Sequence, residues 1–223
     1  MQISPHIQQI TAPNPGIMTG NGTNAYVIRA ANGECMVIDP GPNIESHLDA
    51  IISACGGAQN LKAIVLTHMH PDHSPAAMPL LARSNARIYS AFALDDEFQD
   101  KSLETDIIVR HDQVIALDNL RLRCLYTPGH VDNHMCYLLE NDQVLMTGDH
   151  IMQGSTVVII PPHGNMKKYL ASLALLKNYA ITALAPGHGS VITKPIAEID
   201  ALITHRLKRE SKVRERLTRY AEV

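Results

Sequence analysis

The chain is short of several features that would assign it to a class at once. It has four cysteines in 223 residues, Cys35, Cys55, Cys124 and Cys136, and no C-x-x-C pair among them. That spacing argues against a zinc knuckle or a thioredoxin-like redox pair. Cys35, Cys124 and Cys136 fall in strand-like runs, where reduced and buried thiols are expected. No apolar stretch approaches the roughly 20 residues that span a bilayer. The opening MQISPHIQQI lacks a basic segment followed by an apolar one, so no secretory signal is expected. A cytoplasmic protein without a membrane partner follows as the default. Internal repeats, low-complexity runs and interdomain linkers are also missing, so residues 1–223 are expected to form one domain.

What is present is an ordinary globular composition, 45% hydrophobic and 18% charged. This is enough apolar material for a substantial core without disulfides. The net charge of −3 is unevenly spread: residues 206–219 hold seven basic side chains against Glu210 and Glu215, a local +5, which leaves −8 elsewhere. Such a run is either a solvated helix face or a surface that attracts phosphates.

The first half alternates strand and helix. TNAYVIRA and ECMVID read as strands around Asn32-Gly33, a two-residue hairpin signal. Residues 43–55 carry Ile44, Leu48, Ile51 and Ile52 at helical spacing, stopped by Gly56-Gly57. KAIVLT is a short buried strand, and Ser74-Pro75 should cap a helix running to about Asn85. The middle is strand-rich: IIVR, QVIAL, LRLRCLYT, MCYLLE and QVLMT. Helix returns at 166–179, with Met166, Leu170, Leu173 and Leu176 on one face, and ITALAP is a last strand. A long basic helix is expected over about 195–221. The whole is an α/β chain with two groups of strands.

Chemistry concentrates in THMHPDH, residues 67–73, directly after the apolar run AIVL. His68 and His70 are two apart, so an extended backbone points both the same way. Pro71 bends the chain and lets Asp72 and His73 face a second point. Three more strands end in a Gly or Pro break and a metal-capable side chain: LYTPGH places His130, VLMTGDH places Asp149 and ALAPGHG places His188. Four strand ends with one grammar are hard to reach by chance, and imidazole and carboxylate donors at fixed strand ends suit a metal such as zinc.

These motifs resemble the metallo-β-lactamase superfamily of hydrolases over roughly Ala25 to His205. The resemblance implies an αββα four-layer sandwich of two mixed β-sheets flanked by helices. It implies that His68, His70 and His130 hold one metal, that Asp72, His73 and His188 hold a second, and that Asp149 bridges them. Two Zn(II) ions are expected, with iron or manganese as alternatives. Asp72 is expected to shuttle a proton and, with Asp149, to carry the catalysis. His134 is expected beneath the ligands as a hydrogen-bonding support. Asp39, in IDPG, should hold the loop under the metals. His163 and His205 are candidates for substrate contact or support, and the role of His150 is open. Loops 12–24 and 154–165 flank the expected cleft.

Within the superfamily, GDHIMQGSTVVIIPP, PGHG and THRLKRE look most like the lactamase-β-like-2 group, which includes a single-strand endoribonuclease. That group often adds a small C-terminal domain, which this chain, ending at Val223, is expected to lack. The basic helix then makes a phosphodiester, single-stranded RNA, the first expectation for the substrate, with weak β-lactamase side activity. The alternatives are a glyoxalase II-like thioester hydrolase, a persulfide dioxygenase using one iron, and a metal-binding regulatory protein without turnover. The partner is thus a small molecule or a single-stranded nucleic acid, with homo-oligomerisation left open.

Overall fold

The computed structural model describes residues 1–221, with side chains as far as residue 218. In chain order the elements are β1 (Ile7–Thr11), β2 (Asn24–Arg29), β3 (Cys35–Ile38), α1 (Glu45–Ala54), β4 (Leu61–Val65), α2 (Ala77–Arg83), β5 (Arg87–Ser90), β6 (Ile107–Ile108), β7 (Val114–Leu117), β8 (Leu120–Tyr126), β9 (Met135–Leu139), β10 (Val144–Gly148), α3 (Met166–Leu176), β11 (Ala183–Pro186) and α4 (Pro195–Ala221). One sheet has the order β1-β2-β3-β4-β5-β6 and the other β11-β10-β9-β8-β7. Both are mixed. β1 to β3 pair antiparallel and β3 to β6 parallel. In the second sheet β7 to β10 pair antiparallel and β10 with β11 parallel.

Strand alternation explains the layering. Met36 and Ile38 of β3 face a core shared with Leu122, Tyr137 and Met146 of the other sheet. Their neighbours Cys35 and Val37 face outward onto Leu48 and Ile51 of α1 and Leu80 of α2. On the far side, Leu125, Leu138 and Leu145 pack under Leu173 and Leu176 of α3 and Ile199 and Leu202 of α4. Both faces of the central strands are therefore covered, which is why they read as continuous apolar runs. Each such side chain contributes about 1.5–3 kcal/mol by leaving water. The result is the helix–sheet–sheet–helix sandwich expected from the motifs.

Local details depart from expectation. Asn32-Gly33 is part of a three-residue loop, since Ala30 still pairs with Glu34 and Gly33 takes a positive φ of 88°. Ser74 caps no helix. Its hydroxyl donates to Asp100 at 2.9 Å, residues 71–76 form turns, and α2 starts only at Ala77. On α3 the buried face is Tyr169, Ser172, Leu173 and Leu176, so Tyr169 takes the seat expected for Leu170. All four cysteines are buried and free. Among the described residues, no helix is long and apolar enough to cross a membrane.

The two sheets are also stitched together by hydrogen bonds close to the ends of β4 and β11. Tyr137 in β9 donates its hydroxyl to the Leu66 carbonyl at 2.7 Å, and Met135 N–H donates to Thr67 O at 2.7 Å. Tyr26 in β2 donates to Pro186 O at 2.6 Å, and Asn24 N–H donates to Gly187 O at 2.8 Å. Pro186 O has a second donor, the Asn24 amide at 3.0 Å. Removing the Tyr137 hydroxyl should therefore strand a buried carbonyl, whereas removing that of Tyr26 should not. We expect Tyr137→Phe to lose about 1–3 kcal/mol of stability in urea unfolding and Tyr26→Phe to lose less; equal losses would contradict the assignment.

Candidate metal centre

The ligand candidates meet at the open rim between the sheets. β4 delivers residues 67–73, β8 leads to His130, β10 to Asp149 and β11 to His188. The donor atoms of His68, His70 and His130 all lie within 4.8 Å of one another, and so do those of Asp72, His73 and His188. His68 Nε2 and His130 Nε2 stand 2.9 and 3.1 Å from His70 Nδ1. In the other group, His188 Nε2 lies 3.1 Å from Asp72 Oδ2 and His73 Nε2 lies 3.5 Å from it. Asp149 sits between the groups. Its Oδ1 is 3.3 Å from His73 Nε2 and 3.4 Å from His188 Nε2, while its Oδ2 is 3.8 Å from His130 Nε2. One carboxylate oxygen thus faces each group.

The other ring nitrogen of most of these histidines is tied up, which determines which nitrogen is bare. Asp39 is the anchor. It accepts from Thr67 N–H at 2.7 Å and from the Thr67 hydroxyl at 2.6 Å, and its Oδ2 lies 2.9 Å from His73 Nδ1. Because the Thr67 hydroxyl donates to Asp39, its lone pair receives His68 Nδ1–H, 3.0 Å away. His130 donates Nδ1–H to Val158 O at 2.6 Å, and His188 Nδ1 faces Gly22 O at 3.4 Å. Nε2 of each is left free to point at the shared space, the arrangement that metal-ligating imidazoles need. A third set, Asp39 with His68 and His73, is also close enough to hold a metal. Its Asp39 oxygens already accept hydrogen bonds, so it offers fewer free lone pairs.

Burial and mutual repulsion keep His68 and His70 neutral. Burial, then the neighbouring histidines, hold His68 well below its ordinary value and push His70 down to about 4. In the second group burial opposes charge, but the carboxylates of Asp72, Asp149 and Asp39 outweigh it and hold His73 well above the usual imidazole range. Burial would raise the Asp149 carboxyl, yet His73 and His188 beside it hold it far below the carboxylate range. His73 Nε2 and Asp149 Oδ1 are fully buried without a hydrogen-bond partner. Buried atoms of this kind ordinarily find a partner. Nε2 atoms aimed at a shared space, ionised carboxylates beside them and orphaned donor atoms together fit divalent cations.

The glycines of the motifs are explained by close approach. A Cβ at Gly187 would stand 2.8 Å from His73 Cε1 and 2.9 Å from Asp149 Oδ1, and one at Gly148 would stand 2.5 Å from Thr67 Oγ1. His134 is where support was expected: buried, its Nδ1 3.0 Å from the Thr67-like hydroxyl of Thr127, and its ring 5.2 Å from that of His68. His150 turns away from the cleft and packs its ring 4.9 Å from that of Tyr169. His163 lines the cleft, 3.8 Å from Asp132. His205 does not reach the site. The packed face of α4 is Ile199, Leu202 and Arg206, so His205, about 100° round the helix from Arg206, faces solvent.

The cleft above the ligands has a volume of about 540 Å³. His70, Asp72, His130, Asp149 and His188 lie at its base. Met18 from loop 12–24, Phe98, Val131, Met152 and the segment Val157 to Pro162 give it an apolar wall. No lysine or arginine lines it among the described residues. The basic run does not face it: Arg206 is buried, and residues 207–218 are exposed along α4. Arg219 lies outside the described side chains. Sequence reasoning missed Thr67, Tyr169, Arg206 and the Val158 carbonyl as parts of the site. Of these only Thr67, inside the motif, carried a signal.

A four-layer sandwich with two adjoining His/Asp groups at the rim between its sheets defines a metal-centre class of α/β protein. The family model of the metallo-beta-lactamase superfamily matches residues 18–188. The chain belongs to that superfamily. It is 29% identical over 227 residues to a beta-lactamase-like protein 2 homolog from Caenorhabditis elegans, covering 100% of this chain and 74% of that one. It is 29% identical over 220 residues to an atrochrysone carboxyl ACP thioesterase from Aspergillus terreus, covering 98% of this chain and 65% of the relative, so it spans under two thirds of that protein's length. Among solved structures, a metallo-beta-lactamase family protein from Thermus thermophilus superposes with a TM-score of 0.77 at 22% identity, over 92% of this chain and 80% of that one.

Asp39 offers a test of the hydrogen-bond scheme that touches no proposed ligand atom. Asp39→Asn exchanges an acceptor for a donor opposite Thr67 and His73. Zinc affinity, read by competition with a chromogenic chelator, should fall about 10–100-fold; an unchanged affinity would show that the carboxylate does not orient the histidines.

Proposed function

We propose that the protein is a two-metal hydrolase of acyl thioesters. The observation that carries this is the cleft: a two-group His/Asp base bridged by Asp149, beneath a wall that is apolar and free of lysine and arginine. In this reading His68, His70 and His130 hold one divalent cation and Asp72, His73 and His188 the other, zinc first, with iron or manganese compatible with the same donors. When bound, such a pair supplies Lewis acidity and makes hydroxide available near neutral pH.

The chain's own residues divide the remaining work. The wall from Met152 to Pro162, with Met18 opposite, buries an uncharged acyl group, worth about 25 cal/mol per Å² covered. Asp149 holds the two groups of ligands in register through its two oxygens. Asp72 stands at the cleft base with Oδ2 3.1 Å from His188 Nε2. Its carboxylate takes the proton released from the attacking water and hands it to the leaving group. A thiolate asks little of that donor, because a thiol pKa of about 8.5 makes it a good leaving group before it is protonated.

A phosphodiester is supported less well. Above the metal ligands its charge would meet Asp96 and no lysine or arginine among the described residues, so only the cations at the base would attract it. The exposed basic residues of α4 are elsewhere. The thioesterase named among the relatives points the same way as the cleft, and a small molecule is accordingly the proposed partner.

The test is a substrate panel of acyl thioesters, a lactam, a phosphodiester and single-stranded RNA, run on protein of measured zinc, iron and manganese content. Thioester turnover should exceed the others, stop with chelator and return with zinc. Asp149→Ala should lose both metal and turnover, and Asp72→Ala should weaken metal binding in its own group and lower kcat about 100-fold or more even at saturating zinc. Preferred cleavage of RNA or the phosphodiester would overturn the substrate assignment, and turnover by a metal-free Asp149→Ala protein would overturn the two-metal reading.

A further inference from the structure

We propose that Arg206 is a positioning residue that sets both the apolar wall of the cleft and the orientation of His130. The inference rests on the reading of His130 as a metal ligand. Arg206 is the last inward-facing residue of α4, on the same stripe as Ile199 and Leu202, and only 8% exposed. Its guanidinium lies 5.5 Å from the centre of the Tyr169 ring and donates from Nη2 to the carbonyl of Val157 at 2.5 Å. The next carbonyl along, that of Val158, accepts Nδ1–H of His130 at 2.6 Å. Two adjacent carbonyls are thus held by groups from distant parts of the chain, one from the C-terminal helix and one from the metal centre.

The rest of the surroundings makes this clamp tight. Tyr169, over which the guanidinium sits, packs directly on Gly129, where a Cβ would come within 2.4 Å of the Tyr169 backbone. Gly129 precedes His130, and its carbonyl accepts from Asn165 N–H at 2.8 Å, at the far end of the same loop. The loop 154–165 is therefore fastened at Val157, Val158 and Asn165, and Val157, Val158 and Ile160 between those points are wall residues of the cleft. A charge buried beside the Tyr169 ring costs several kcal/mol unless it is paired. Arg206 Nε has no partner. An aliphatic side chain would fill this seat more cheaply, so what the guanidinium adds is its reach to the Val157 carbonyl.

Without that bond the segment 157–160 loses one of its fixings, the Val158 carbonyl drifts, and His130 loses the acceptor that keeps Nε2 bare and aimed. The test compares Arg206→Gln and Arg206→Lys with Leu202→Ala, which weakens the packing of α4 without touching the guanidinium. Zinc affinity of the metal-free protein, measured by chelator competition, is the deciding readout. Arg206→Gln should lower it about 10-fold, raise hydrogen exchange across residues 154–165, and raise KM more for long than for short acyl thioesters. Arg206→Lys should fall between it and the parent, and if the Gln variant does not fold, the Lys variant carries the same comparison. Leu202→Ala should lose thermal stability with zinc affinity unchanged. Equal zinc affinity in the Arg206 variants and the parent overturns the proposal. A loss of zinc affinity in a protein whose parent cleaves no thioester supports the role of Arg206 and removes only the thioesterase reading.

Discussion

Bare imidazole nitrogens do not sit 3 Å apart in a protein interior unless something holds them there. Each is a lone pair facing another lone pair, and nothing about the rings themselves favours the arrangement. Here the holding is done by hydrogen bonds on the opposite side of the rings. Asp39 accepts both Thr67 donors and faces His73, Thr67 passes the constraint on to His68, and Val158 and Gly22 take the outward N–H groups of His130 and His188. The carboxylate of Asp149 then spans the two groups. Most of what distinguishes this molecule can be followed outward from that constraint, including the glycines that permit the approach and the tyrosine hydroxyls that join the sheets beside it.

The chemistry at the base of the cleft and the chemistry of its wall answer different questions. The base, with five histidines and two aspartates in two adjoining groups, would speak to how a bond is broken. The wall speaks to which bond. It is apolar from Met152 to Pro162 and opposite at Met18, and it carries no side-chain cation. The positive charge so prominent in the sequence of α4 is spent elsewhere: Arg206 is buried under the loop, and the basic side chains from Lys208 to Arg216 are exposed away from the cleft lining.

Much of this was legible in the sequence, for definite physical reasons. Strand ends that finish in a glycine or proline break and a donor side chain could be read because a sheet fixes its ends in space. Fully apolar strands could be read because both faces are covered. The failures were of two kinds. Asn32-Gly33 and Ser74 were misjudged because local turn and cap signals compete with longer-range pairing: Ala30 with Glu34 in one case, and the Ser74 hydroxyl with Asp100 in the other. Arg206 and His205 were misjudged because a helix puts neighbours on different faces, and a run of basic residues gives no sign of which one turns inward. A backbone acceptor such as Val158 O has no sequence signature.

The bridging position of Asp149 has one more consequence, which concerns folding and abundance. The proposed ligands run from His68 to His188, more than half the chain, and come from both sheets. They come together only when both sheets have formed and docked. A cation bound there recognises the finished fold far better than the unfolded chain, which keeps together only the donors of residues 68–73. By mass action every tenfold rise in free metal above its dissociation constant then adds about 1.4 kcal/mol to the folded state. Metal supply would thereby govern how long the protein persists as well as how fast it turns over, and the stitched rim between the sheets is where the two become the same quantity.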